Sequence, residues 1–147
     1  MKGKTMRHTF LLCGLLSLAN LAFADHHQLA IDARQPIVEL DVTSVTLGDD
    51  TSVINAESKM GVYGRVYLSF VLSSNATGNG GTYTFQGRGY VDDETMFSGS
   101  GVGVWHRKGP TLVMHQLVNI SDGTVNFDRI VLNPLERTGT LAAYALK

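Results

Sequence analysis

The sequence has almost no cysteine, since Cys13 is the single one among 147 residues. Cys13 lies in an N-terminal segment that we expect to be cleaved, so the remaining chain would contain none. Disulfide bonds, thiol catalysis and thiolate metal sites are therefore excluded for residues 25–147. Without a disulfide, this domain has to be stabilised by packing alone.

Residues 1–24 have the three parts of a secretory signal peptide. A basic stretch over residues 2–7 precedes the apolar run Phe10–Leu21, and residues 22–24 read Ala-Phe-Ala, which is typical of a cleavage site. The apolar run is shorter than the roughly 20 residues that a membrane-spanning helix needs. We therefore predict a signal peptide over 1–24, no membrane span, and a periplasmic or secreted protein.

Basic residues are sparse and scattered. Three of the 12 Lys and Arg residues lie in 1–24 and all 13 Asp and Glu residues follow it, so residues 25–147 carry a formal charge of −4. No basic stripe is present that would bind nucleic acid or an anionic membrane surface, and neither is expected as a partner. The remaining 123 residues are enough for one domain with one core.

β-Strand patterns dominate the chain after residue 36. Runs rich in β-branched and aromatic residues alternate with short polar turns, a pattern typical of antiparallel sheet. The predicted strands are Ile37–Thr46, Val62–Ser73, Thr82–Val91, Met96–Arg107, Thr111–Ile120, Thr124–Leu132 and Gly139–Leu146. Two segments stay open: Thr51–Lys59 is a strand or a short helix, and residues 25–36 form a leader or an edge strand.

Short connections favour a barrel over a sandwich. From Thr82 onward no connection exceeds about six residues, near the hairpin norm, whereas a sandwich would need longer crossovers. We therefore predict one all-β domain over residues 37–147, a single eight-stranded antiparallel up-and-down β-barrel. Within it, Gly99, Gly101 and Gly103 share one face of a strand, which indicates strong coiling or a close approach of ligand or backbone.

Hairpin turns at residues 108–109 and 122–123 give a provisional strand register. This register places His115 on the same face as Asp128 and Ser100, among apolar neighbours. An imidazole oriented by a carboxylate inside an apolar barrel can act as a general acid or base. His115, Asp128 and Ser100 are therefore the candidate catalytic residues. The competing interpretation of His115 is a core or interface histidine satisfied by one hydrogen bond.

The glycine face carries candidate ligand-binding residues. Arg88, Gln116 and Arg129 line up there, where a planar guanidinium can hold a ligand oxygen by two parallel hydrogen bonds. The alternative is that both arginines face a neighbouring subunit or water. Trp105 either closes one end of the barrel or stacks against a ligand. The register places Tyr83 and Phe85 on the opposite face, and with them the predicted ligand-binding set is Arg88, Trp105, Gln116, Arg129, Tyr83 and Phe85.

Metal ligands do not converge in the sequence. His26 and His27 are adjacent at the expected new N-terminus, and the acidic residues at 49–50 and 92–94 fit solvated turns without the regular spacing that calcium needs. We expect neither a metal nor another cofactor.

Both predicted faces of the sheet carry a band of Val, Leu, Phe and Met, although the outside of a monomeric barrel should be polar. We therefore expect a homo-oligomer, a trimer or a dimer, because large apolar patches are rarely left open to water. The alternative is that the register of one hairpin is wrong.

Three short motifs and a dipeptide follow one another between Tyr83 and Gly109. They are Phe85-Gln86-Gly87-Arg88, Asp92-Asp93-Glu94-Thr95, Ser98-Gly99-Ser100-Gly101 and Val104-Trp105. In this order they resemble the allene oxide cyclase and dirigent group of small calycin-type β-barrels. The resemblance implies a barrel with a central cavity, usually trimeric, that directs cyclisation or coupling of apolar small molecules without a cofactor. No catalytic residue of that group matches a position of this chain.

Three functions remain open from the sequence. The first is a barrel that binds a small apolar molecule and directs its cyclisation or isomerisation as a cofactor-independent enzyme. The second is a non-catalytic, lipocalin-like carrier, and the third is a structural or interaction barrel. A cavity of a few hundred Å³ with convergent polar groups would favour the enzyme, whereas a filled interior would favour the structural barrel.

Overall fold

Residues 31–146 are described by a computed structural model, and they form strands almost throughout. The strands are β1 (Ile31–Ala33), β2 (Val38–Leu47), β3 (Thr51–Lys59), β4 (Arg65–Ser74), β5 (Gly80–Tyr90), β6 (Met96–Lys108), β7 (Thr111–Ile120), β8 (Val125–Asn133) and β9 (Thr138–Leu146). One 3₁₀ turn, Gly61–Tyr63, lies between β3 and β4, and this part of the chain contains no α-helix. Accordingly, no helix within 31–146 is long and apolar enough to cross a membrane. The predicted signal peptide lies outside the described residues.

Closure of the sheet joins the two ends of the described chain. From β2 to β9 each strand pairs antiparallel with the next, and β9 pairs back with β2. This arrangement confirms the predicted eight-stranded, antiparallel, up-and-down barrel. The first half of β9 pairs with β2 and its second half pairs with β1, so residues 34–37 pass from one ladder to the other at the rim.

The segment Thr51–Lys59 is a strand, so its interpretation as a short helix was wrong. It pairs with β4 along its whole length. Every second side chain, at Ile54, Ala56 and Ser58, is buried in the interior. A burial period of two residues is that of a strand and not of a helix.

Two hairpins differ from the predicted register. The β6–β7 turn lies at Gly109-Pro110, which shifts the pairing by two residues and keeps each side chain on its predicted face. The β7–β8 loop has three residues, Ser121 to Gly123, and Gly123 has a φ of 85°. A three-residue hairpin with glycine in the left-handed region shifts the pairing by one residue, which turns every side chain of β8 to the other face.

Large side chains fill one end of the barrel, which we call the filled end. Trp105, Met114 and Ile130 occupy one row across three strands, and all of them are buried. Leu132 and Leu40 are buried beside them. The indole Nε1 of Trp105 donates a hydrogen bond of 3.1 Å to the carbonyl oxygen of Ser73, so its polar atom is satisfied. The candidate site lies towards the opposite end.

Candidate functional site

A polar group lies in one cross-strand row in the interior of the barrel. Tyr83, Gly103, Gln116, Asp128 and Ala143 face one another in that order from β5 to β9. Gly103 has no side chain, and the ring of Tyr83 occupies the space that a Cβ there would need. The Nε2 atom of Gln116 donates a hydrogen bond of 3.0 Å to Oδ2 of Asp128. The glycine of β6 thus admits a phenol beside a buried amide–carboxyl pair.

Most polar atoms of this group lack a partner. Asp128 is 5% exposed, and Asn126, two residues earlier on the same face, is 3% exposed. No hydrogen-bond partner among residues 31–146 meets Oδ1 of Asp128, Oε1 of Gln116, Oδ1 of Asn126 or the hydroxyl of Tyr83. A buried polar atom without a partner costs roughly 1–3 kcal/mol, so the burial of these four atoms is costly.

Burial sets the protonation of the cluster. It raises the pKa of Asp128 to about 6, and the hydrogen bond from Gln116 and the charge of Arg34 oppose that rise. Burial also raises the pKa of Tyr83 far above its ordinary value, with a smaller contribution from the charge of Asp128. The carboxyl therefore changes charge close to neutral pH, while the phenol keeps its proton.

A cavity of about 50 Å³ lies between this cluster and the second end of the barrel, which we call the open end. Its wall is mainly apolar, and Asp128 and Asn126 supply buried polar side chains. Space is left because Gly87 and Gly99, which face each other across β5 and β6, have no side chains. The volume is well below the roughly 300 Å³ at which drug-sized ligand pockets begin.

Side chains from the barrel rim cover the open end. Tyr63, from the 3₁₀ turn, packs edge-to-face on Phe97 at 5.3 Å between ring centres, and both line the cavity. The guanidinium carbon of Arg34 lies 5.7 Å from the centre of the Tyr63 ring. Its Nη2 atom is 3.4 Å from Oδ2 of Asp122 in the β7–β8 loop. The connection between β1 and β2 therefore contributes to the mouth of the cavity.

His115 lies on the outside of the barrel, opposite Arg129. Its ring stacks on that of Phe127 at 6.0 Å and lies 6.4 Å from that of His106. Partial burial, followed by the positive charges of Arg129 and His106, lowers the pKa of His115. The expected placement of His115 and Asp128 on one face was wrong, because the three-residue β7–β8 loop turns Asp128 inward. Their catalytic roles stay predictions, and that of His115 would need a site on the outer face.

The other predicted residues also divide between the two faces. Ser100, Arg88 and Arg129 are exposed on the outer face, so the expected alignment of the two arginines with Gln116 was wrong. Tyr83 and Phe85 pair with Gly103 and Gly101 and therefore lie on the glycine face, not opposite it as predicted. The interior set is Tyr83, Phe85, Trp105, Gln116 and Asp128.

Sequence reasoning missed three contributors to this end of the barrel. Asn126 follows from the strand period once Asp128 is placed inward, so the correct register would have found it. Tyr63 and Arg34 carry no such signal, because one lies in a turn between strands and the other in the connection between two ladders.

No metal centre is apparent in the part of the chain that the structure describes. Residues 31–146 contain no group of three or more His, Cys, Asp or Glu side chains that could hold a metal ion. Asp92 instead accepts hydrogen bonds from the backbone of Glu94 and Thr95 within its own turn. His26 and His27 lie outside the described residues.

The outer face of the sheet carries an exposed apolar patch. Val102, Val104 and Leu117 are 64%, 55% and 50% exposed, and Val102 lies directly opposite Leu117. Val71, 37% exposed, lies two strands away in the same cross-strand row. We call these four residues the outer patch. It is a second candidate working surface.

Comparison with known proteins adds no family to this description. No family model, no curated protein and no solved structure matches the chain. The functional interpretation therefore depends on the geometry of the interior and of the outer patch.

Proposed function

We propose that this barrel binds a small, largely apolar molecule through its open end and places one polar group of that molecule against Asp128. One observation carries the proposal: a buried carboxyl with an unpartnered oxygen lies on the wall of an otherwise apolar cavity. Few, well-placed polar groups within an apolar lining are typical of small-molecule sites. The resemblance of the sequence motifs to those of allene oxide cyclases and dirigent proteins supports the same class of ligand.

The size of the cavity restricts how such a ligand enters. An engineered cavity of about 150 Å³ holds one benzene molecule, whereas this cavity measures about 50 Å³. Only a few non-hydrogen atoms fit beside Asp128. The remainder of the ligand then lies at the mouth, against Met60, Tyr63 and Phe97, so a slender molecule that enters end first fits best.

Acid–base catalysis is a second candidate function of the same site. A carboxyl whose pKa lies near 6 can give and take a proton close to neutral pH. This property fits a cofactor-independent isomerase or cyclase, as the resemblance implies. A non-catalytic carrier needs only the apolar wall. If the wild-type protein turns over a bound ligand and the variant Asp128→Asn does not, the barrel is an enzyme and not a carrier.

Binding is tested by filling the cavity from its glycine side. We expect calorimetric titration with slender six-carbon probes (1-hexanol, hexylamine and hexanoate) to show binding of at least one, and the variant Gly99→Val to weaken it at least tenfold. A Cβ at Gly99 already comes within 3.2 Å of Ile120 and Val118, so a valine there takes up cavity space.

The matched control is Thr84→Val, which places a valine on the exposed face of β5 and should leave binding unchanged. Binding that survives Gly99→Val, or a protein that binds none of the probes, would contradict the proposal.

The outer patch supports a further candidate, self-association into the predicted homo-oligomer. Burying three valines and a leucine against a second copy would remove apolar surface from water. Sedimentation velocity should then show a dimer or trimer that dissociates in Val104→Glu but not in Thr138→Glu, which places the same charge at an exposed position of β9. A wild-type monomer at all concentrations would contradict this candidate.

A further inference from the structure

The two unpartnered oxygens of this cluster that lie on the cavity wall, Oδ1 of Asp128 and Oδ1 of Asn126, are both hydrogen-bond acceptors. Gln116 uses its Nε2 donor on Asp128, which leaves its Oε1 as an acceptor. Gln116 lies in the row of Tyr83, whose hydroxyl also lacks a partner within the described chain, and neither residue lines the cavity. The three residues lie on two neighbouring strands, Gln116 directly opposite Asp128 and Asn126 two residues further along the same face.

The buried charge of this wall is negative, because the other charged lining residue, Arg88, is exposed on the outer face. Asp128 is the only charged residue among the buried side chains of residues 31–146. Arg34 acts on it from the rim, where its guanidinium pairs with Asp122 and lies over Tyr63. A buried carboxylate without a neighbouring cation is costly, so a ligand that supplies a cation in contact with it gains the most.

Three chemical groups can be compared as the polar end of the ligand that meets these oxygen atoms. A carboxylate would bring a second negative charge and no donor. A hydroxyl offers one donor and would leave one of the two wall oxygens unpaired. A primary ammonium group carries three N–H donors and no acceptor, and it also supplies the missing positive charge.

We infer that the polar end of the ligand is a primary ammonium group, so that the ligand class is a small primary amine with an apolar tail. The inference rests on the proposed function, because it specifies the ligand of the same cavity. The ammonium would donate to Asp128 and Asn126, and the tail would pass along Val118, Ile120 and Phe97 to the mouth.

The test compares three probes of equal length on the whole protein by isothermal titration calorimetry: hexylamine, 1-hexanol and hexanoate. We expect hexylamine to bind at least tenfold more tightly than the other two. The variant Asp128→Asn should remove that preference, whereas Asp93→Asn, which makes the same charge change in an exposed turn, should keep it. Circular dichroism of each variant verifies that it is folded.

A pH series on the wild-type protein gives a second measurement that needs no variant. Because Asp128 must be ionised, affinity for hexylamine should fall as the pH decreases below about 6, whereas affinity for 1-hexanol should not. Arg34 from the β1–β2 connection and Tyr83 from β5 interact electrostatically with Asp128, and Tyr63 from the 3₁₀ turn and Arg88 from β5 line the same cavity.

The outcomes separate the inference from the proposed function. Equal or tighter binding of 1-hexanol or hexanoate overturns the inference and leaves the proposed function in place. A preference for hexylamine that persists in Asp128→Asn also overturns it. If none of the three probes binds, the proposed function fails together with the inference.

Discussion

The two ends of the barrel use the same strands for opposite purposes. At the filled end, Trp105, Met114 and Ile130 occupy their row without leaving a polar atom unpaired. At the open end, Gly87 and Gly99 have no side chains and leave a cavity, and Asp128 lies on the wall of that cavity. From this difference we expect stability to be concentrated at the filled end, because the open end carries the poorly satisfied polar groups. Four predictions test it, from the largest effect to the smallest.

Trp105→Ala should give the largest loss of stability. Removing the indole leaves a cavity at the filled end and frees the carbonyl of Ser73, so we expect a loss of about 3–5 kcal/mol in the free energy of unfolding. Ile120→Ala, at the rim of the open end, should cost about 1 kcal/mol because that side chain is only partly buried. Urea denaturation measures both, and equal losses would show that the two ends are not different.

Asp128 should make stability depend on pH. Its pKa is about 6 in the folded protein against an ordinary value of 3.8, so the folded state binds the proton more tightly than the unfolded state. Stability should therefore fall by about 2 kcal/mol as the pH rises from 4 to 7. Asp128→Asn should remove that fall and Asp93→Asn should keep it, as measured by urea denaturation across this range. Parallel curves for wild type and Asp128→Asn would refute the assignment.

Two glycines of β6 should respond differently to alanine. A Cβ at Gly103 would meet the carbonyl oxygen of His115 and, at 2.7 Å, the ring of Tyr83, so backbone has to move. We expect Gly103→Ala to cost about 1–3 kcal/mol. A Cβ at Gly99 meets only side-chain carbons, those of Ile120 and Val118 at 3.2 Å and that of Phe85 at 3.6 Å. Gly99→Ala should therefore change the unfolding free energy by less than about 0.5 kcal/mol in thermal denaturation, and a larger loss there would contradict the comparison.

His115→Gln should have the smallest effect. The imidazole faces outward, away from the cavity, so ligand affinity and any turnover should be unchanged, and stability should change by less than about 0.5 kcal/mol. Calorimetric titration with the probe that binds best is the measurement. Loss of binding or of turnover in this variant would show that the outer face belongs to the site.

The strands and their closure could be predicted from the sequence because they depend on local patterns. Alternating β-branched residues and short polar turns specify an antiparallel meander, and a meander of this length closes into a barrel. Thr51–Lys59 was ambiguous because its alternation includes polar Ser58, whose side chain is buried by a hydrogen bond to the carbonyl oxygen of Glu39. That bond joins positions 19 residues apart, which no local pattern reveals.

The candidate site could be predicted only in part, because it depends on the length of one loop. Asp128 was identified as a candidate, yet its partner was taken to be His115 instead of Gln116. A glycine at position 123 fits both a two-residue and a three-residue hairpin, and the choice between them decides which face of β8 is buried. Arg34 and Tyr63 reach the mouth only through tertiary packing.

The ladder between β2 and β9 has a consequence for the order of folding. It pairs Val38 with Leu141, so the barrel closes through residues about 100 positions apart. During synthesis, strands β2 to β8 can form hairpins while β9 is still missing, but the cavity has no complete wall until the last strand is added. Such non-local pairing folds slowly. The open sheet that precedes closure has two unpaired edges, and their protection from other chains depends on how quickly β9 arrives.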